Sequence, residues 1–473
     1  MVLYYMVEGL FVKPFFLLYN APYQFCSSIR PCFVPERLKI QWNAPCRVRS
    51  ELYGICRAEV RADPAAHAPI RVDYSHPLFD RNGLKRAFCH THPASLAFLL
   101  VRRGEVSGGG QLLDRLLKRY GPNDPLHLDA CTAALAAIAD GVEAVEHGVL
   151  EEGVMDVTAD DVFIGNGVSE LIMLAMRALL NPDDEVLVPS PDYPLWTASV
   201  VIHGAKAVHY PCRPERGFVP DPAEVEALVT DRTRAIVVIN PNNPTGAVYP
   251  REVLTALAGI AERRHLVFCG DEIYDEMLYD GAEFVPSATL ARQALCLTFS
   301  GLSKVYRACG LRVGWLVFSG EREHARDYIQ AVDLLASLRL CSNVPGQYAV
   351  QTALGGHQSI FELTRPGGRL HATRAAMLDA VQRSRWLSVL PPQGAMYAFV
   401  RVHAERLPGG LEAFQDQAFA LDLLERKHVL VAPGSSFNVP YRDHFRVTLL
   451  PDAEDMAVVF ARIESLLDEY AVA

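Results

Sequence analysis

From Val154 onward the chain alternates short apolar runs with longer amphipathic ones, and this alternation limits the folds open to it more than any other feature. The runs at 160–164, 185–188, 207–210, 234–239, 266–269 and 294–299 have the length of buried strands. Between them, helical spacing is predicted over 171–180, 221–229 and 251–264. Apolar strands separated by helices predict an α/β fold with a large, mostly parallel sheet covered by helices on both faces. Ligands of such sheets bind at the carboxyl ends of the strands. Those ends read Gly165-Asn166-Gly167-Val168-Ser169, Pro191-Asp192-Tyr193-Pro194, Asn240-Pro241-Asn242-Asn243-Pro244-Thr245-Gly246, Asp271-Glu272-Ile273-Tyr274 and Gly301-Leu302-Ser303-Lys304.

Lys304 is the reactive group among them. A lysine partly desolvated at a strand end has a depressed pKa and becomes a nucleophilic amine, for which an aldehyde is the natural electrophile. If that aldehyde carries a phosphate, Ser303 and Arg312 are clamps within reach, because a planar guanidinium binds two phosphate oxygens at once. The free N–H groups and positive dipole end at Gly167, Val168 and Ser169 form a second anion site. The alternative for Gly165-Asn166-Gly167 is a plain tight turn, and for Lys304 a solvated surface charge.

The 473 residues exceed what one hydrophobic core usually supports. Three regions are predicted: an atypical N-terminal region, 1–150, poorly defined to about residue 110; a large domain, 151–345; and a smaller C-terminal α+β domain, 346–473. The large domain ends after a long helix over 321–337. Helices follow over 346–354 and 369–383, and Met396–Val400, Leu411–Lys427 and Phe445–Leu449 belong to the small domain. A net charge of -10 argues against a dedicated nucleic-acid binder. Eleven cysteines scattered through apolar runs, with no CxxC pair, fit reduced thiols in a cytoplasmic protein better than disulfides or zinc. No metal site is predicted, and Cys89, His90 and His92 are read as chance clustering. No apolar run reaches the length of a membrane span, and the apolar start, broken by Lys13 and Pro14, does not read as a signal peptide.

Taken together and in order, four strand-end motifs resemble the class I/II aminotransferases of pyridoxal 5'-phosphate (PLP) fold type I. They are Asn240–Gly246, Asp271–Tyr274, Ser303-Lys304 and Gly310-Leu311-Arg312-Val313-Gly314. The wording of Gly301–Arg307 and Leu338–Pro345 resembles the alanine (glutamate–pyruvate) transaminase subgroup, as does Gly301 at a position where many relatives carry a phosphate-binding serine. The resemblance implies transamination between an amino acid and a 2-oxo acid, here L-alanine and 2-oxoglutarate giving pyruvate and L-glutamate, by a homodimer. It implies that Lys304 joins the cofactor aldehyde and later moves a proton at the substrate Cα. Asp271 would face the pyridine nitrogen, Tyr274 and Asn243 the ring hydroxyl, and Tyr193 the ring face. Gly167, Val168, Ser169, Ser303 and Arg312 would take the phosphate, and Arg446, with Asn243, the substrate carboxylate.

The residues also allow plainer roles. Asp271 could cap a helix starting near Ile273. Tyr274 and Tyr193 could be core aromatics, Asn243 a turn residue, Arg446 an edge charge in water, and Trp196 is read as packing. Other readings of the whole chain are a different fold-type-I enzyme such as a β-lyase, a PLP-sensing regulator, or an inactive chain. The last arises because the family's Gly-Asn-Pro loop and Gly-Tyr segment do not occur in residues 1–150. Residues 1 to about 110 also reverse the charge sign, with 14 Lys and Arg against 8 Asp and Glu, and are read as a shifted frame or a wrong start.

Overall fold

The computed structural model describes residues 141–472; the expected Gln111–Tyr120 helix, the Cys89/His90/His92 cluster and the reading of residues 1–110 lie outside them. A helix over 141–151 is the described end of the segment predicted as Leu128–Val149.

Seven strands build the large sheet: β1 (Val162–Gly165), β2 (Glu185–Ser190), β3 (Lys206–Pro211), β4 (Thr233–Ile239), β5 (Val267–Asp271), β6 (Leu295–Gly301) and β7 (Gly314–Gly320). Their order is β1-β7-β6-β5-β4-β2-β3. All run the same way except β7, which is antiparallel to both neighbours. β6 is buried along its whole length and β4 and β5 along most of theirs, which is why their sequences are near-continuous apolar runs and not alternating ones. Helices predicted over 251–264 and 369–383 occur as Arg251–Arg264 and Arg369–Arg383. The first ends where His265 turns left-handed behind Arg263 and Arg264, a favourable charge at a helix C-terminus. The helix expected over 321–337 is divided into a 3-10 turn, Glu323–Ala325, and a helix, Arg326–Leu338.

A second, four-stranded antiparallel sheet has the order β10-β11-β9-β8, with β8 at Leu387–Val389, β9 at Tyr397–Val402, β10 at Ala432–Pro433 and β11 at His444–Thr448. Its core is closed by a C-terminal helix, Ala453–Val472, packed on Arg369–Arg383. That helix was not anticipated; Met456, Phe460, Ile463 and Leu467 mark its buried stripe at helical spacing. Among the described residues no helix is long and apolar enough to cross a membrane, and no group of three His, Cys, Asp or Glu could hold a metal ion.

The reversed strand gathers the functional loops. β4, β5 and β6 run parallel, so Asn240, Asp271 and Gly301 lie at one edge of the sheet. β7 starts at that edge, with Gly314 opposite both Gly301 and Gly165. The loop bearing Lys304 and Arg312 therefore leaves and re-enters the sheet beside the turn that opens the next helix, Val168–Leu179. Two glycines allow the close approach. A Cβ on Gly314 would stand 2.5 Å from Val168 N, and one on Gly301 would stand 2.7 Å from Gly314 Cα. We predict that Gly314→Ala lowers stability by about 1–3 kcal/mol, the usual range for overpacking. Urea denaturation measures it; an unchanged value would mean the helix moves freely.

Candidate active site

The anion end is built by the β1–helix turn. Gly167 caps the helix with φ 85, and Val168 and Ser169 occupy its first turn, where backbone N–H groups lack helical partners. Glu170 locks the turn from behind: its carboxylate accepts from Asn166 N at 2.7 Å and pairs with Arg339 Nε at 3.0 Å. Arg312, itself left-handed at φ 48, lays its guanidinium over Gly167, where a Cβ would come within 2.3 Å of Nη2. Its hydrogen bonds go to the carbonyls of Cys309, at 3.0 Å, and Asn166, at 3.5 Å, and among the described residues no carboxylate pairs with it. An unneutralised guanidinium beside a positive helix end is an arrangement that calls for an anion. Ser303 is half-buried beside Lys304 and makes no side-chain hydrogen bond to a described residue.

The centre is Asp271, buried at the end of β5. Trp196 Nε1 donates to its Oδ2 at 2.9 Å, while Oδ1 is buried with no hydrogen-bond partner among the described residues. Burial lifts this carboxyl to about 6, against the Trp196 hydrogen bond, a backbone hydrogen bond from Ile273 and the Lys304 charge, which pull it down. Trp196 is therefore more than the packing residue that was expected: its ring meets Phe299 edge-on at 5.3 Å, and its N–H orients the aspartate. The only sequence signal was its position just after Tyr193, which does not show that the following helix turns the indole under β5. Residues 273–276 form consecutive turns and not the helix considered near Ile273, because Asp275 N and Met277 N bond three residues back, to Glu272 and Tyr274. Asp271 thus ends a strand and caps no helix, and Tyr274 owes its place to the turn.

Tyr274 is buried, with Lys304 Nζ 5.9 Å from its ring centre and its hydroxyl 3.2 Å from that of Tyr397. Burial, reinforced by Tyr397, holds the Tyr274 phenol well above its ordinary pKa, so it stays a protonated donor. Lys304 is half-buried, and its amine makes no hydrogen bond or ion pair to a described residue. Tyr193 is half-buried; burial and the Asp271 charge raise its phenol, and a hydrogen bond from Ser169 opposes them. On the far side Arg446, in β11, donates from Nη1 to Asn243 Oδ1 at 3.0 Å. Its guanidinium lies 4.3 Å from the Tyr397 ring centre and 4.9 Å from that of Phe437. Its Nε is buried without a partner, and no described carboxylate pairs with it. Arg446 is thus neither an edge charge in water nor a satisfied core cation. Tyr397 and Phe437, given no chemistry from sequence, wall this end.

A continuous run of contacts therefore links the candidates: Arg312 on Gly167, Ser169 on Tyr193, Tyr193 near Asp271, Asp271 near Lys304, Lys304 over Tyr274, and Tyr274 through Tyr397 to Arg446 and Asn243. It runs from a cation-lined helix end, past an orphaned carboxylate oxygen and a free amine, to a second unneutralised guanidinium. The residues suit PLP, an aldehyde on a protonated pyridine that carries a phosphate.

The family model for aminotransferase class I and II matches residues 111–463. The chain belongs to this family. It is 48% identical over 318 residues to the glutamate-pyruvate aminotransferase AlaA of Escherichia coli K12, covering 67% of this chain and 78% of that protein. It is 48% identical over 311 residues to an alanine aminotransferase of Mycobacterium bovis, covering 66% and 72%. The solved alanine aminotransferase of Pyrococcus furiosus shares the fold at a TM-score of 0.65 with 34% identity, over 70% of this chain and 82% of that one. Class I and II aminotransferases use PLP, and the cofactor of this aminotransferase is PLP.

In this aminotransferase Trp196→Phe keeps the aromatic packing and removes the one side-chain donor to Asp271 seen among the described residues. A hydrogen bond to a charged group is worth about 1.5–3 kcal/mol, so cofactor affinity is expected to fall roughly tenfold or more. Absorbance titration of the cofactor-free protein measures it, and an unchanged affinity would return Trp196 to packing alone.

Proposed function

We propose that this aminotransferase moves an amino group between L-alanine and 2-oxoglutarate, giving pyruvate and L-glutamate. The reaction class rests on the orphaned Asp271 Oδ1 within the electrostatic field of the free Lys304 amine. The choice of alanine draws on the names of the relatives at 48% identity. When bound, PLP supplies an aldehyde for the incoming amine and a protonated ring that accepts the electron pair released at Cα.

The chain's own groups have these parts. Asp271 would hold the pyridine nitrogen and keep it protonated. Tyr274 and Asn243, the latter also bonded to Arg446, would hold the ring hydroxyl. Tyr193 would hold the ring. The N–H groups of Gly167, Val168 and Ser169, with Ser303 and Arg312, would hold the phosphate. Arg446 binds the substrate α-carboxylate, an anion that supplies the partner its guanidinium lacks. Lys304 Nζ, held over Tyr274, takes the proton from Cα as general base and later returns one as general acid. Burial of Asp271 and Tyr274 keeps water from competing for these bonds.

Residues 151–345 form the cofactor-binding domain and 346–473 the smaller one in this reading. A homodimer in the cytoplasm completes it. The exposed apolar side chains Leu334, Leu338 and Leu340 support a second copy, and the buried free thiols Cys212, Cys269 and Cys296 support a reducing compartment.

Purified protein given L-alanine and 2-oxoglutarate tests the proposal by pyruvate release; none, with cofactor bound, overturns it. Lys304→Ala is expected to abolish turnover while leaving weak cofactor binding, and borohydride reduction of the unmodified holoenzyme is expected to leave the cofactor on Lys304 by peptide mass mapping. Arg446→Lys replaces a fork by a point charge. It is expected to lower kcat/KM roughly ten- to a hundredfold for amino and oxo acids alike; unchanged kinetics would remove Arg446 from the site.

A further inference from the structure

Asp192 is a fully buried carboxylate between β2 and Tyr193. Its close partners are neutral. Thr197 Oγ1 donates to Oδ2 at 2.6 Å, and Asn438 Nδ2, from 246 residues away, donates to Oδ1 at 2.9 Å. Two more bonds join the same loops: Asp192 N donates to Phe437 O at 3.1 Å, and Ser190 Oγ donates to Asn438 O at 2.7 Å. Thr197 has one hydroxyl proton, given to Asp192, so its oxygen accepts from Asn438 Nδ2 at 3.2 Å and from His209 Nε2 at 2.9 Å. This places a His209 proton on Nε2. Burial pushes the His209 pKa down and lifts the Asp192 carboxyl to about 6. Both Asp192 carboxylate oxygens and the Thr197 hydroxyl are thereby hydrogen-bonded.

Both loops lead into the site. Tyr193 follows Asp192, and the ring centre of Phe437, which precedes Asn438, stands 4.9 Å from the Arg446 guanidinium, which also lies 4.3 Å from the Tyr397 ring centre. A guanidinium faced by two rings keeps its hydrogen-bonding edges in one plane, the plane in which a carboxylate is bound bidentately. Asn438 is left-handed, φ 54 and ψ 42, a conformation that asparagine and glycine tolerate best. Glycine would keep the backbone and lose the bond to Asp192.

We propose that Asp192 and Asn438 are positioning residues for the carboxylate site: their hydrogen bond fixes Phe437 against Arg446 and holds the Tyr193 loop in register with it. This rests on the reading of Arg446 as the substrate-carboxylate group. Loss of the strap lets the guanidinium turn, which weakens binding of the amino acid and the oxo acid together, since both carry that carboxylate. The proton transfer by Lys304 is less affected.

Steady-state KM and kcat for L-alanine and 2-oxoglutarate, measured on the full-length holoenzyme, test the strap. Asn438→Gly removes the amide and keeps the backbone; Asn438→Asp sets two carboxylates face to face. Each is expected to raise both KM values roughly tenfold with kcat changed less than about threefold. The double variant Asp192→Asn/Asn438→Asp rebuilds the amide–carboxylate pair in the opposite sense and is expected to recover KM. A silent Asn438→Gly, or a loss that falls on kcat and is not recovered by the double variant, overturns the proposal. If Asn438→Asp does not fold, Asn438→Gly decides alone. Arg446→Lys, assayed alongside, separates the two readings: if it is silent the carboxylate assignment fails, whereas a strong Arg446 effect with silent Asn438 variants removes only the strap.

Discussion

The half-satisfied carboxylate of Asp271 is the constraint on which the rest of this structure depends. A buried carboxylate is costly unless it is hydrogen-bonded and faces positive charge. Here one oxygen has Trp196, the other has no partner among the described residues, and Lys304 supplies a nearby cation. The cost falls at the end of the central strand, at the edge where the loop bearing Lys304 leaves the sheet. The wider fold serves that point: β4 and β6 flank β5, their ends bring Asn240 and Gly301 to the same edge, and the helix after Tyr193 turns an indole beneath it.

The antiparallel strand β7 has a comparable importance for the anion end. If the chain had continued in parallel after β6, Arg312 would have been carried to the opposite edge of the sheet by a crossover connection. Reversal returns it to the same edge, and the close approach of Gly314 to Gly167 and Val168 brings the helix N-terminus down onto the strand pair. Arg312 is then held by backbone carbonyls alone, which orient a guanidinium without neutralising it. Arg446 at the other end follows the same rule, with an amide and two aromatic faces in place of a carboxylate. Two cations without a carboxylate partner among the described residues, Arg312 and Arg446, suit anionic ligands.

The contacts between the two sheets decide where those cations sit relative to each other. Gly246 O accepts from Gln393 N and Gly394 N, Tyr274 meets Tyr397, Asn243 meets Arg446, and Asp192 meets Asn438. Each joins a strand-end loop of the large sheet to the small one. A shift of one sheet against the other would therefore be felt along the whole run from Arg312 to Arg446.

Much of this was legible in the residues. Apolar runs of strand length, buried on both faces, and the polar punctuation at their ends are local properties, so the sheet, its helices and the strand-end candidates could be read in order. Lys304, Asp271, Asn243 and Arg446 stood out as candidates because amine, carboxylate, amide and guanidinium groups carry their chemistry wherever they are placed. Ser303 was named by its neighbour and makes no side-chain hydrogen bond to a described residue. The turn after Asp271 was not legible, since a helix and consecutive turns share the same local spacing and only the Trp196 hydrogen bond and the packing of Tyr274 separate them. Nor were Trp196, Tyr397, Phe437 and the Asp192–Asn438 pair. Trp196, Tyr397 and the Asp192–Asn438 pair act through partners 75 to 246 residues away, and contact geometry over such distances is set by packing and not by spacing. The sequence by itself determined which chemical groups the strand ends would carry. The tertiary structure alone decided which of them would be left without a partner, because burial and neighbour geometry, more than residue type, make a polar group available to a ligand.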